Sequence, residues 1–511
     1  MLTAFLFLLT GCQESATFTK RNLTLDTFND MKVDEYALNS QQIQESFEHI
    51  CRNDKDDCYA AVHTRKYYRE GGALVWVDAF GVDERADSLL QVLHTNVPRM
   101  GFSERPFNLG QIEDDITRMR TLNFDATNTA SRIAARVDYW LTKAYLRYVT
   151  GQRFGFINPT YVMNHFDASA TDSTGQALSY HRLYDVDIEH PGDAYPARAL
   201  QKVTIDSLCA YLHRVEPADG LYCRLMEQLP TVSDASRLKL LVNMERQRWR
   251  DKLKHRADEK YIVVNVPAFH LWAISPDSVV DMRVACGAVK TKTPLLSSRI
   301  THMEVNPEWV IPMSIIRNDV ARHGGDSSYF ARHRYYITDR KTGKQISAKY
   351  VSAGMLLSGK YRVAQQGGAG NSLGRIIFRF PNNFSVFLHD TSSPGAFGRD
   401  NRGVSHGCVR VQRPFDLALF MMEAEPDEWL VDKLRISMGL PPETEQGRDF
   451  LDELDPAEAT PRLVRSLQVS PRVPLYIIYN TIFLTPDGML QYYPDVYGYD
   501  EAVAEALKPY L

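Results

Sequence analysis

The sequence predicts an α+β protein in two parts, a helical N-terminal region followed by a mostly-β domain that carries a helical insertion. The deciding observation is a change of hydrophobic period. Up to about residue 255 apolar residues recur at helix-face spacing, and from Lys260 they alternate, the pattern of half-buried strands. Length agrees, because 511 residues exceed what one hydrophobic core ordinarily organises. The 59 Lys and Arg against 63 Asp and Glu leave a formal charge of -4, with no nucleic-acid footprint and no polybasic membrane patch.

The chain opens on MLTAFLFLLTGCQES, an apolar run too short to span a bilayer. Its end, Leu9-Thr10-Gly11-Cys12, resembles a bacterial lipobox, which implies cleavage before Cys12 and a lipidated thiol as the mature first residue. No Lys or Arg precedes Ala4, a departure from such signals, and a plain secretory signal or a buried terminal segment is the competing reading. The expected boundaries are residues 1–12 for the signal, 13–40 for a polar linker, 41–255 for the helical domain and 256–511 for the β-rich domain.

Within the helical region, Ile133, Val137, Trp140, Leu141, Ala144, Tyr145 and Tyr148 predict an amphipathic core helix. Residues 204–250 read as helical again and end in VNMERQRWR, whose arginines are expected to tie helix to neighbouring domain. KYIVVNV, HLWAIS, MRVACGAV and ITHMEV then read as strands. Beyond Pro307, Trp309 and Pro312, two short helices broken at Gly324-Gly325 read as a surface subdomain over about 313–350. QQGGAGNSLG supplies amides with little bulk and reads as a groove wall; it lacks the phosphate-loop pattern G-x-x-x-x-G-K-[ST]. Helices over 413–424 and 427–438 and a hairpin turning at Pro486-Asp487-Gly488 complete the β-rich domain.

Chemistry concentrates in residues 387–411, FLHDTSSPGAFGRDNRGVSHGCVRV. Cys408 follows Gly407, which lets backbone approach a substrate with amides free for an oxyanion. His389 ends an apolar alternating run, 384–388, so its imidazole projects from a strand end, and Arg410 adds a cation that favours thiolate. The residue types alone leave three readings open: a thiol nucleophile with a histidine base, a buried Cys beside a structural His, and zinc held by His389, His406 and Cys408.

The spacing His389, then Ser405-His406-Gly407-Cys408-Val409-Arg410, resembles the signature of the L,D-transpeptidase (YkuD-type) family. LLSSRITHMEVNPEWVIPMSI (295–315), NSLGRIIFRFPN (371–382) and FLHDT (387–391) resemble the branch with a separate helical scaffold domain. So do Tyr67, Tyr68 and Trp76 with GFINP (155–159). The resemblance implies an enzyme that needs no metal or cofactor, with Cys408 as nucleophile, His389 as base, Gly407 at the oxyanion and Arg410 fixing the loop or a substrate carboxylate. Ser405, His406 and Asp390 are expected to support them, and Asn371, Ser372, Gly374, Trp309 and Tyr361 to line the substrate groove, with the insertion as a lid. The implied donors are peptidoglycan tetrapeptide stems, joined through a thioester to an acceptor amine in 3→3 cross-links during cell-wall biogenesis. Carbapenems are the implied inhibitors. An L,D-carboxypeptidase on the same thiol and a decayed binding lipoprotein are the alternatives. Gly367-Gly368 stands where relatives often have Pro-Gly.

The implied location is the periplasmic envelope, at a membrane through the lipid on Cys12. In that oxidising setting Cys51 with Cys58 and Cys209 with Cys223 are candidate disulfides, and Cys286 a free core thiol; reduced, buried cysteines throughout are the other reading.

Overall fold

The computed structural model describes residues 33–511 apart from 79, 205–206, 423–425 and 455–460. The expected lipobox, Cys12 and most of the polar linker lie outside the described residues. The rest forms two units, one from residues 33–162, Ile188–Arg250 and Asp500–Leu511, the other from Met163–Asp187 and Asp251–Tyr499. This differs from a single cut near 255 in two places. Residues 163–187 leave the helical unit to add a strand, Tyr184–Asp185, to the β-rich unit, and the C-terminus returns to the helices. There Ser103 N–H donates to the Tyr510 carbonyl at 2.7 Å and the Tyr510 ring packs on Phe102 and Phe156.

Helices α1 (Ser40–Asn53), α2 (Tyr59–Arg69), α3 (Glu84–Arg99) and α4 (Leu109–Thr121) surround the 25-residue α5 (Ala130–Phe154). Thr129 caps its start and Gly155, with φ 99°, its end. The expected apolar face is buried apart from the half-buried Trp140, but so are Ser131, Asp138, Thr142 and Gln152, so α5 is enclosed on nearly every side rather than amphipathic. Its buried carboxylate is satisfied, because Asp138 accepts from the amides of Val75, Trp76 and Val77 and from the Tyr68 hydroxyl. Burial still outweighs those bonds and lifts Asp138 to about 6. The arginines of α6 (Asp234–Arg248) have partners within this unit. Arg246 pairs with Asp500 at 2.5 Å, and Arg248 reaches Gln152, Tyr222 and Glu245.

In the second unit the alternating stretches form β1 (Tyr261–Asn265), β2 (His270–Ile274), β3 (Val279–Gly287) and β4 (Leu295–Val305). The insertion supplies β5 (Trp309–Val310), β6 (Tyr335–Asp339), β7 (Gln345–Ile346) and β8 (Tyr361–Gln365). After it come β9 (Ile376–Arg379), β10 (Leu388–His389), β11 (Gly403–Ser405), β12 (Val409–Val411) and β13 (Ser466–Ile478). The sheet runs β9-β10-β12-β3-β2-β1-β13-β4, and β4 pairs back onto β9, so the strands close into a ring. Closure removes the open edges an alternating sheet would otherwise present. Hairpins join β1 to β3, whereas β10–β12 and β1–β13 pair in parallel.

The insertion contains the expected short helices, among them Ser327–Arg332, and also a four-stranded antiparallel sheet in the order β5-β8-β6-β7. Ile311, Ile316, Val320, Phe330, Ile337, Val351, Leu356 and Val363 form its own core, so it extends over 309–365 rather than 313–350. At Gly324 a Cβ would come within 2.4 Å of the Ala353 amide, which makes it a close-packing glycine. The insertion's ends meet, since Trp309 pairs with Gln365 and a Cβ on Gly367 would lie 2.3 Å from the Asn306 carbonyl oxygen.

Candidate active site

Two very short strands position the chemistry. β10 lies between β9 and β12, with His389 opposite Ile377 on one side and Arg410 on the other. Leu388 and Val409 form the adjoining pair and are fully buried in the core. Because successive residues alternate faces, His389, Cys408 and Arg410 share the opposite face. The bond from Val409 N–H to the Phe387 carbonyl, 3.1 Å, extends this pairing and sets Cys408 beside Phe387. The apolar run before His389 is mostly a turn: Asn382 Oδ1 accepts from the amides of Phe384 and Val386, and Ser385 has φ 54°.

His389 is 4% exposed. Its Nδ1 donates to the Asp390 carbonyl, which in the neutral ring leaves the lone pair on Nε2. Burial and then the Arg410 guanidinium hold its pKa down at about 4, against bonding to the Asp390 and Leu373 carbonyls. Cys408 is half-buried; burial raises its thiol, partly offset by a backbone hydrogen bond from Phe387 and by the charges of Arg379 and Arg410. At neutral pH the resting pair is therefore thiol and imidazole, both uncharged. Arg410 is half-buried, makes no salt bridge among the described residues, and its Nε has no partner.

The loop that presents the thiol is held from inside. Ser405 Oγ donates to the Cys408 carbonyl at 2.6 Å and accepts from Gly407 N–H at 3.1 Å. The Ser405 carbonyl accepts from Thr291 Oγ1 and the Ala288 amide. Gly407 has φ 111°, a conformation that favours glycine. Its amide, expected at the oxyanion, is taken by Ser405 Oγ. His406 is exposed while His389 is buried, and no set of three or more His, Cys, Asp or Glu among the described residues converges on a metal site.

Residues 259–453 match the model of the L,D-transpeptidase catalytic domain (YkuD), and residues 63–229 match that of a scaffold domain. The β-rich part thus carries an L,D-transpeptidase catalytic domain, and the helical part a scaffold domain. It is similar to a putative L,D-transpeptidase of Haemophilus influenzae, 26% identical over 322 residues, which covers 62% of this chain and 60% of the relative's length. Among solved structures it aligns with the Ldtfm–avibactam carbamoyl enzyme over 34% of this chain and 48% of the other, at 14% identity and TM-score 0.20. An L,D-transpeptidase from Mycobacterium smegmatis aligns over 32% and 54%, at 16% identity and TM-score 0.19.

The residues expected to line the groove have partners within the chain. Asn371 is fully buried; its Nδ2 donates to the carbonyls of Pro307 and Gln366 and its Oδ1 accepts from Leu373 N–H. The Ser372 amide donates to Gln365 Oε1, and a Cβ on Gly374 would strike Asp390 at 2.3 Å. Asp390 in turn accepts from the amides of Arg375 and Thr391, so it fastens the loop that leads into β9. Trp309 and Tyr361 pack against the insertion's core. Neither expected disulfide forms. The Cys51 thiol is buried and donates to the Arg65 carbonyl, Cys58 Sγ caps α2 at the Ala61 amide and accepts from Arg147, and Cys209 and Cys223 are half-buried and not bonded to each other.

Sequence reading missed Arg379, at the end of β9. Its guanidinium lies 4.6 Å from the Phe387 ring centre and lowers the Cys408 pKa. The available signal was the alternation IIFR, which turns Arg379 away from its buried neighbour Phe378.

Proposed function

We propose that the protein is a peptidoglycan L,D-transpeptidase that works through a Cys408 thioester and forms 3→3 cross-links. The observation that carries this is a half-buried thiol sharing one sheet face with a neutral, orientation-locked imidazole and an unpaired guanidinium. His389 Nε2 takes the thiol proton as Sγ bonds to the carbonyl carbon of the donor stem's third residue. The Cys408 amide stabilises the oxyanion, and Arg410 is suited to the donor's terminal carboxylate. Collapse breaks the C–N bond to terminal D-Ala, whose amine leaves with the proton held on His389. The acceptor's side-chain amine then attacks the thioester, gives its proton to Nε2 and releases the thiol.

In this reading Cys12 is the lipidated N-terminus that keeps the enzyme in the envelope. The test of the reaction is incubation with purified tetrapeptide muropeptides and mass spectrometry of the products. A 3→3 dimer together with released D-Ala is expected. Tripeptide stems without any dimer would make the protein a carboxypeptidase, and unchanged muropeptides would overturn the assignment.

A further inference from the structure

We infer that Tyr497, together with the Lys292–Asp167 ion pair, positions the Cys408 thiol by clasping the turn between β3 and β4, an inference that rests on the reading of Cys408 as the nucleophile. The turn, residues 287–293, meets the thiol loop at Ser405. The Ser405 carbonyl accepts from Ala288 N–H at 3.0 Å and from Thr291 Oγ1 at 2.8 Å, while its hydroxyl spans the Gly407 amide and the Cys408 carbonyl. Ser405 is therefore gripped at both ends, and a shift of the turn passes to the backbone on either side of the thiol. One phenol closes the turn. The Tyr497 hydroxyl donates to the Gly287 carbonyl at 2.6 Å and accepts from Thr293 N–H at 3.1 Å, so a single oxygen bridges the two ends. Gly287 N–H donates to Thr293 Oγ1 at 2.8 Å, and a Cβ on Gly287 would lie 2.0 Å from the Thr291 carbonyl oxygen, so the turn is closed too tightly for a side chain there. Without the hydroxyl, a buried carbonyl and a buried amide lose their partner.

Lys292 fastens the same turn a second time. It is 8% exposed; its ammonium pairs with Asp167 and lies 4.9, 5.3 and 5.9 Å from the ring centres of Phe166, Tyr499 and Tyr497. An ammonium buried this far depends on its carboxylate and on the faces of those rings. The Lys292 carbonyl lies 3.6 Å from the place a Cβ on Gly407 would take, so the anchored residue borders the thiol loop directly. Phe166 and Asp167 belong to residues 163–187, the segment that leaves the helical unit, which gives that detour a part in holding the site.

The test uses the full chain and two probes of Cys408: a carbapenem, whose acylation needs the geometry of the loop, and iodoacetamide, which needs only an accessible thiolate. Peptide mapping confines both readings to Cys408. Tyr497→Phe should slow acylation roughly tenfold, within the about 10²-fold that a misplacement of about 1 Å costs, and leave alkylation within about a factor of two of wild type. Asp167→Asn should do the same, because Lys292 loses its counter-charge. Hydrogen exchange at the Gly407 amide should quicken in both variants. Ile262→Val trims the core on β1, which pairs with β2 and β13, and should lower stability while changing none of the three readings. Unchanged acylation in either clasp variant, or acylation and alkylation falling together, overturns the positioning role. A wild type that resists acylation counts against the proposed reaction instead, and exchange then decides: equal protection of the Gly407 amide in wild type and variants overturns the clasp.

Discussion

Acid should unfold this protein partly through one histidine. The His389 ring is buried with a pKa near 4, whereas an exposed ring titrates at 6.5. The unfolded chain therefore binds a proton that the native chain refuses, and stability falls with falling pH between those values. The contribution is intact above about pH 6.5, shrinks below it and is spent once the pH passes below about 4. At 1.36 kcal/mol per pKa unit, the loss from about pH 7.5 to about pH 4 amounts to about 3 kcal/mol. Urea denaturation followed by tryptophan fluorescence at both pH values measures it. His389→Asn keeps a polar side chain of smaller size but cannot titrate, so wild type should lose about 3 kcal/mol more than the variant over that range. Parallel losses in the two proteins would show that the native ring is not held neutral, and with that the description of an uncharged resting thiol and imidazole would fail.

His389→Ala should slow acylation of Cys408 by the roughly 10²–10⁴-fold typical of general acid–base catalysis, while His406→Ala changes it little; stopped-flow with a carbapenem reads both. Arg379→Gln removes a charge that lowers the thiol pKa, so the alkaline limb of the acylation pH profile should move upward, and a shift downward would refute the electrostatic role. Gly407→Ala places a Cβ no nearer than 3.6 Å to any neighbour, so its cost should be the backbone strain of positive φ, about 1–3 kcal/mol by denaturation. Peptide mapping should find the carbapenem on Cys408 alone, because Cys286 is fully buried and its thiol is pushed up to about 12.

What was legible in the sequence was local. The alternation of KYIVVNV and HLWAIS marked β1 and β2 because each strand has one face in the core, and the Ser-His-Gly-Cys spacing marked the thiol loop because its chemistry fits in a single turn. The detour of residues 163–187 was not legible. Its hairpin, Ala168–Thr171 with Ala177–Tyr180, is mostly exposed and buries no apolar face, and Tyr184–Asp185 becomes a strand only by pairing with residues more than a hundred positions away. Strands as short as β10 carry no period of their own; the neighbours on both sides define them. The surroundings of Asn371 and Gly374 were hidden for a related reason. A polar residue and a glycine in a loop look the same in sequence whether they face a ligand or brace the backbone, and only the carbonyls around Asn371 and the carboxylate beside Gly374 decide it.

The meeting of the insertion's two ends has a consequence for how this architecture can vary. A segment that departs near Asn306 and returns at Gly367, in backbone contact, costs the surrounding ring almost nothing in chain entropy, because the join is as short as an ordinary turn. β4 and β9 remain hydrogen-bonded to each other whatever the length of chain between them. The segment, which packs a core of its own, is thus a cassette: it can be trimmed, lengthened or exchanged at a single seam while the strands that hold Cys408 and His389 keep their register.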